Sequence, residues 1–175
     1  MSIDHDGAQI AKLMRPYHIQ LLTLAAADAD NTLGIEGSFD LESTEVQDVL
    51  DLLATKVRSV AETTKEQIRA IHGEAARDGH GPDWIREQIQ ALKEIASKSR
   101  AELIGRTEAA NAYNLGTITR YGQSGQVSGV EVLDGTNDEI CAAANGQTWT
   151  LEEAAASPIG HPNCVRAFVP VLTEG

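Results

Sequence analysis

Apolar residues in the first two thirds of the chain recur every three or four positions, the spacing that predicts amphipathic helices. The first such stretch covers residues 8–33. Pro16 should bend or restart this helix, because proline lacks the N–H that a helix interior needs. Gly34 suits a C-terminal cap, and residues 34–42 are then a linker. The one-sided apolar stripe, of the kind that faces a core, consists of Ile10, Leu13, Met14, Tyr17, Leu21 and Leu24.

The second helix shows the clearest pattern. Thr44, with Gln47 three residues later, forms the capping-box pattern that begins a helix. The apolar positions that follow have a near-heptad spacing, typical of a long helix packed lengthwise against another. About 27 residues would give a rod of roughly 40 Å. The seam consists of Val46, Leu50, Leu53, Val57, Val60, Thr64, Ile68 and Ile71, and the glycines that should end the helix are Gly73, Gly79 and Gly81.

A shorter helix should begin at Pro82, because proline suits the first helical position. Ile85, Ile89 and Leu92 would face inward from this helix. Trp84 is interpreted as a core or interface anchor, since large aromatic side chains usually serve packing.

The third long helix carries two polar residues on its apolar face. A buried Glu108 or Asn111 is costly unless it is hydrogen-bonded or paired. Arg106 and Thr107 flank Glu108, and Arg166 is a candidate partner from the far end of the chain. We interpret these residues as a structural network that fixes the packing of helix against sheet. The alternative is a catalytic Glu108, because perturbed carboxylates cluster at active sites. The helix is predicted over residues 98–122, and its face comprises Ala101, Ile104, Glu108, Asn111, Leu115 and Ile118.

Residues 127–172 have a different pattern, in which short apolar runs are separated by turn-forming residues. They predict a strand, a glycine turn, a short alanine-rich helix at 151–157 and a second strand. The whole chain is therefore predicted to be α+β. Long antiparallel helices form an N-terminal arm, and the last helix packs on a small, mostly antiparallel sheet. The expected divisions are residues 1–40 for the N-terminal helix and linker, 41–96 for the helical arm and 97–175 for the α+β core.

Charge narrows the choice of partners. With 14 Lys and Arg against 26 Asp and Glu, the net charge is −12. Such a surface argues against non-specific nucleic-acid binding, which depends on neutralising phosphates, and favours a basic protein partner. Two cysteines do not make a disulfide scaffold. Neither a secretory signal nor a membrane span is expected.

An ordered set of residues in the third helix and the C-terminal region carries a resemblance to a known family. The Arg-Thr-Glu sequence at 106–108 lies on a helix, Asp134 lies in a strand, and the His-Pro-Asn-Cys sequence at 161–164 forms a turn. With these residues the chain resembles the phage Mu F-like head morphogenesis family, in the form found in phages of actinobacteria. The similarity spans about residues 40–172. Further residues that carry it are Asn111, Asn114, Cys141, Gly146 and Arg166.

The resemblance implies a minor protein of the tailed-phage head, associated with the portal vertex during procapsid assembly. Its partners would be the portal protein and also the major capsid or scaffold protein, with no specific nucleic-acid or membrane binding. It would reside in the virion, at the head interior or portal vertex, after assembly in the host cytoplasm. Relatives are often labelled capsid maturation proteases, which makes an enzyme one alternative.

Many relatives also carry a Cys-x-x-Cys pair and a His-Pro-x-Cys-x-Cys ending, which together suggest a zinc site. In this chain Ala144 and Arg166 replace two of those cysteines. Imidazole and thiolate ligands still suit zinc. The other interpretations are packing beneath the sheet and a disulfide between the two cysteines. The candidate ligands are Cys141, His161 and Cys164, with Asp134, Asp138 or Glu139 as a conceivable fourth.

Catalysis has little support from residue spacing. His161 and Cys164 stand three positions apart in a proline-containing turn, a poor geometry for a nucleophile and its base. A G-x-S-x-G sequence and a glycine-rich phosphate loop are both missing. An enzyme would have to use Glu108, His161 or a cysteine, and a zinc-stabilised binding module is the remaining hypothesis. The residues interpreted as a structural polar network are Arg106, Thr107, Glu108, Asn111, Asn114, Asp134 and Arg166.

Overall fold

The structure is a computed structural model that describes residues 3–85, 87–88 and 101–173. Some helical residues within these ranges are described by their backbone alone. Several sequence predictions therefore lie outside what is described. They concern residues Ile89 and Leu92 and the side chains of Ile10, Val57, Val60, Thr64, Ile68 and Ala101.

Three long helices and a small sheet make up the described part of the chain. Helix α1 covers Ile3–Leu33, α2 covers Thr44–Asp78 and α3 covers Ala101–Ser124. The α+β prediction is confirmed, with a helical N-terminal arm followed by an antiparallel sheet. No described helix is both long enough and apolar enough to cross a membrane. Further elements are strands β1 (Val127–Leu133), β2 (Thr148–Trp149) and β3 (Ala167–Leu172) and short helices α4 (Glu139–Ala144) and α5 (Leu151–Ala156).

Helix α1 buries a different face from the one that its large apolar residues predict. It continues through Pro16 without restarting, and it packs against both α2 and α3. Leu13, Tyr17 and Leu24 are 69%, 62% and 53% exposed, so the predicted stripe was wrong for these residues. An alanine-rich face lies inward instead, because small side chains let helices approach closely. The buried residues are Ala11, His18, Leu22, Ala25, Ala26 and Ala29.

The N-cap of helix α2 lies one residue before the predicted one, and the helix is longer than predicted. Its N-cap is Ser43, whose hydroxyl accepts a hydrogen bond from the Val46 N–H. The Gln47 side chain donates to the Leu41 carbonyl oxygen, which steadies the preceding turn. The helix continues past Gly73 to a left-handed cap at Gly79. Of the predicted seam residues whose side chains are described, Val46, Leu50 and Leu53 are buried and Ile71 is half-buried.

The segment after α2 follows the predicted pattern as far as it is described. Residues 82–85 are helical. Trp84 is half-buried, and its ring stacks on His80 with 4.2 Å between the ring centroids. This contact is local, so the described residues give Trp84 a packing role within its own turn.

Helix α3 carries the predicted buried face and forms a wall between the helical arm and the sheet. Glu108, Asn111, Leu115 and Ile118 are all buried on it. The sheet has the order β2-β1-β3, with both pairs antiparallel. One face of the sheet packs toward α3 and α5, because residues alternate between the two faces of a strand. The core on that face includes Ile118, Tyr121, Val127, Val130, Val132, Ala144, Ala154 and Phe168.

The crossing of α1 and α3 depends on Gly116. A Cβ added at Gly116 would lie 2.9 Å from the Leu22 Cα and 3.0 Å from the Ala25 Cβ. The Leu22 contact is with backbone, which a side-chain rotation cannot relieve. The two helices therefore approach as closely as they do because this position has no side chain.

Substituting alanine at two glycines of α3 should have opposite effects on stability. Gly116→Ala should lower the free energy of unfolding by about 1–3 kcal/mol, because it overpacks the helix crossing. Gly105→Ala is the matched control, since a Cβ there meets nothing within 4 Å, and it should raise stability by up to about 1 kcal/mol through helix propensity. Urea unfolding of both variants measures the difference, and equal effects would show that the crossing is not tightly packed.

Candidate functional site

Three connections place the predicted site residues at one end of the sheet. Asp134 follows β1, Cys141 lies in the first turn of α4, and residues 161–164 form a turn before β3. Asp138 is the N-cap of α4, and its side chain accepts a hydrogen bond from the Cys141 N–H at 2.9 Å. The turn closes through a hydrogen bond from the Cys164 N–H to the His161 carbonyl oxygen. Capping and turn formation, both local, thus fix the two halves of the site.

The three predicted metal ligands come together in this arrangement. The Cys141 Sγ lies 3.1 Å from the His161 Nε2 and 3.8 Å from the Cys164 Sγ. The three ligand atoms all lie within 4.8 Å of one another. Both cysteines are buried and free, so the structure has no disulfide between them. The Gly160 N–H also donates to the Cys164 Sγ at 3.4 Å.

The residues present fit a zinc ion. With a Zn–S distance of about 2.3 Å, two thiolates of a tetrahedral site lie about 3.8 Å apart, which matches the separation of Cys141 and Cys164. The His161 Nδ1 lies 2.8 Å from the Pro162 carbonyl oxygen. Zinc-binding histidines commonly donate their second ring N–H to such an acceptor, which turns the other nitrogen toward the metal. Bound there, zinc would join α4 to the turn before β3.

The thiol of Cys141 is poorly suited to nucleophilic catalysis. Burial raises its pKa, and hydrogen bonding to the Asp134 and Asp138 carboxylates raises it further. The thiolate is the nucleophile, so a thiol with a raised pKa reacts slowly. A cysteine protease using this residue therefore has no support from its surroundings.

Arg166 pairs with Asp134 and not with Glu108, so the predicted partner of Glu108 was wrong. The Arg166 Nε donates to the Asp134 Oδ2 at 2.7 Å, and the two side chains are 2% and 0% exposed. Arg166 also donates to the Ser157 carbonyl oxygen at 2.9 Å and lies over the Trp149 ring, 5.0 Å from its centroid. This pair joins the end of β1 to the start of β3.

The same hydrogen bonds hold Asp134 ionised. Burial on its own would raise the pKa of Asp134, but hydrogen bonds from Arg166, Cys141, the Gly135 N–H and Cys164 outweigh it, and the pKa is lowered. The Asp134 carboxylate is therefore hydrogen-bonded to both cysteines and also paired with Arg166.

The other predicted network residues divide between two places. The buried Asn114 side chain donates to the carbonyl oxygens of Pro158 and Arg166, at 2.7 and 2.9 Å. The Thr107 hydroxyl accepts from the Asn163 N–H at 3.1 Å. Both side chains tie α3 to the segment that carries the cysteine–histidine cluster. Arg106 is exposed, so its predicted network role has no support here.

Glu108 and Asn111 belong instead to a second polar cluster, at the contact of α1, α2 and α3. The Glu108 Oε2 lies 3.9 Å from the His18 Nε2, and neither atom has a hydrogen-bond partner. The Lys56 Nζ donates to the Asn111 Oδ1 at 3.0 Å. Sequence reasoning missed His18 and Lys56, because neither stands in a pattern that marks a buried polar position.

Burial shifts the pKa values of this second cluster in opposite directions. It raises the pKa of Glu108, against the pull of the Lys56 charge. It lowers the pKa of His18 and that of Lys56, which the Glu108 charge partly restores. Folding therefore shifts both Glu108 and His18 toward their neutral forms relative to the unfolded chain.

Two cavities are lined by described residues, but neither opens onto the candidate catalytic side chains. One of about 310 Å³ is lined in part by Ile140, Trp149 and Arg166. The other, of about 540 Å³, lies between α2, α3 and α5. Neither is lined by Cys141, Cys164 or Glu108, and Glu108 is only 4% exposed. Neither cavity therefore gives a substrate access to the sequence-predicted catalytic candidates Glu108 and the cysteines.

No known protein family, curated protein or solved structure matches the chain. The resemblance to phage Mu F-like proteins therefore rests only on the residues named in the sequence analysis. Several of them lie around the cluster of Cys141, His161 and Cys164. The function implied by that resemblance stays a prediction.

Breaking the Asp134–Arg166 pair should destabilise the fold strongly. Asp134→Asn or Arg166→Gln should each lower the free energy of unfolding by about 3–5 kcal/mol, because each leaves an uncompensated buried group. The double variant should lose less than the sum of the two. Because the folded-state pKa of Asp134 lies below its ordinary 3.8, this contribution is present above pH 3.8 and is lost as the pH falls through the folded-state value. Urea unfolding is the measurement, with the exposed Glu131→Gln as a control that should change little.

The two buried groups of the second cluster should give opposite pH dependences. A raised pKa of Glu108 means that the wild type loses stability as the pH rises above 4.5, its ordinary value. A lowered pKa of His18 means that it loses stability as the pH falls below 6.5. Relative to the wild type, Glu108→Gln should therefore gain stability as the pH rises between these values, and His18→Gln should gain stability as it falls. The measurement is the free energy of unfolding of the three proteins at several pH values in this window. If it changes equally with pH in all three, both pKa shifts are contradicted.

Proposed function

We propose that this chain is a minor head protein of a tailed phage, acting at the portal vertex during head assembly. The observation that supports it most is the convergence of several of the residues that carry the family resemblance. Residues from α3, from the end of β1 and from the turn before β3 surround one cluster, and the chain separates them by up to 56 positions, as in the hydrogen bond between Thr107 and Asn163. Such a cluster holds the C-terminal lobe, residues 125–173, against α3. This arrangement suits a structural protein.

The outward face of α1 is the surface that we assign to the portal contact. Leu13, Tyr17 and Leu24 stand three to four residues apart, or multiples of that spacing, and are exposed. Apolar residues at helical spacing are the anchors that a helix presents to a groove in a partner. The net charge of −12 favours a basic ring around that groove.

An enzyme is the weaker alternative. A capsid maturation protease would need an activated nucleophile, and burial and carboxylates raise the pKa of Cys141. Glu108 is buried between three helices, away from both cavities. A zinc-stabilised binding module is the better second candidate, because the geometry of Cys141, His161 and Cys164 fits the metal. It is compatible with a role in the phage head.

Co-expression with the portal protein of the same phage tests the proposal. We expect a complex that co-elutes in size-exclusion chromatography, and we expect the double substitution Leu13→Asp with Tyr17→Asp to abolish it. The helix should persist, because both side chains point away from the core. Removing residues 1–40 is unsuitable as a test, because α1 contributes Leu22 and Ala25 to the interior.

Leu172→Asp is the matched control, since Leu172 is an exposed apolar residue at the far end of β3. The control should keep the complex. If the wild-type protein fails to co-elute with the portal protein at any salt concentration, the portal assignment is wrong. If the control and the α1 variant lose the complex equally, the contact does not lie on α1.

A further inference from the structure

Both ring nitrogens of His161 face acceptor oxygens. The Nδ1 lies 2.8 Å from the Pro162 carbonyl oxygen, and the Nε2 lies 3.0 Å from the Asp138 Oδ2. A neutral imidazole has a single N–H, so it can donate to one of these oxygens and must direct a lone pair at the other. One of the two contacts therefore places a nitrogen lone pair against an oxygen unless a proton or a metal ion lies between them.

The surroundings of the Nε2 favour a metal ion. The Cys141 Sγ is 3.1 Å from this nitrogen and 3.8 Å from the Cys164 Sγ. A proton between the His161 Nε2 and one neighbour would bridge only two of these atoms. A zinc ion would bind all of them at once, with the Pro162 carbonyl oxygen accepting the Nδ1 proton and fixing the ring.

A further thiolate is not available, because both cysteines of the chain already belong to the cluster, so a fourth protein ligand would be one of the two carboxylates that contact it, Asp134 or Asp138. Asp134 is committed elsewhere. Its Oδ2 accepts from Arg166, its Oδ1 accepts from the Gly135 N–H at 2.9 Å, and the side chain is fully buried. Ligating a metal would break a buried ion pair.

The second carboxylate, Asp138, has one oxygen that faces the cluster. Its Oδ1 accepts the Cys141 N–H at the start of α4, and its Oδ2 points at the His161 Nε2. The 3.0 Å between these two atoms is close to the roughly 3.3 Å expected between nitrogen and oxygen ligands of one tetrahedral zinc. The side chain is 42% exposed, so it can turn toward the sulfurs.

We propose that Asp138 completes a structural zinc site with Cys141, His161 and Cys164. The site is closed by four protein ligands, and it ties α4 to the turn before β3. It does not depend on the phage assignment, and its test is separate from portal binding.

Metal content of the full-length protein is the first measurement. Protein purified with zinc present and then dialysed should retain about one equivalent per chain. Cobalt in its place should show the ligand-field bands of a tetrahedral ion and a thiolate-to-cobalt charge-transfer band. A protein that retains no metal would overturn the proposal.

Matched variants identify the fourth ligand. Asp138→Asn keeps a good N-cap for α4 but removes the carboxylate, and it should weaken zinc binding about tenfold or more in competition with a chelator. Glu139→Gln removes an exposed charge from the next position and should bind zinc as the wild type does. Asp138→Cys should add a third sulfur and strengthen the charge-transfer band of the cobalt form.

The same series can overturn the assignment. If Asp138→Asn binds zinc with wild-type affinity, Asp138 is not a ligand. If Asp138→Cys leaves the charge-transfer intensity unchanged, the side chain does not reach the metal. Circular dichroism of each variant shows whether α4 and the rest of the fold are retained.

Discussion

The buried pair of Asp134 and Arg166 is the interaction on which the C-terminal lobe depends. Two charges removed from water are tolerated only when nearly every polar atom has a partner. Here the carboxylate accepts from Arg166 and from the Gly135 N–H, and the guanidinium also reaches the Ser157 carbonyl oxygen. Since one partner follows β1 and the other precedes β3, the pair fixes where the long connection between these strands must lie.

That connection contains the cysteine–histidine cluster, and its geometry follows from the pair. Cys164 stands two residues before Arg166, and its thiol donates to the Asp134 Oδ1 at 3.4 Å. Gly160 lets the turn approach α4, because a Cβ there would lie 2.9 Å from the Arg166 guanidinium and 3.2 Å from Ile140. A zinc ion at the cluster would reinforce a connection that the ion pair already holds in place.

Helix α3 serves both halves of the molecule along one face. Glu108 and Asn111 point toward α1 and α2, while Asn114, one turn further on, binds the connection before β3. Gly116 then brings α1 against the same helix. The helical arm and the lobe are therefore joined through a shared wall, and a partner bound to α1 would act on an element that is packed directly against the rest of the described fold. The large apolar residues of α1 that remain outside are the ones that we assign to such a partner.

The sequence by itself determined the α+β class, the long helices and the buried polar face of α3, whereas the three candidate metal ligands were identified through the family resemblance. The first three follow from local spacing, turn-forming residues and side-chain chemistry, which a linear pattern records. Only the tertiary structure decided that the alanine face of α1 lies inward, that Arg166 pairs with Asp134, and that His18 faces Glu108. Each of these depends on which surfaces meet across long separations in the chain. Hydrophobic periodicity does not specify which of the two apolar faces of α1 is buried. Close packing against Gly116 favours small side chains on α1, and this preference appears only when the two helices meet.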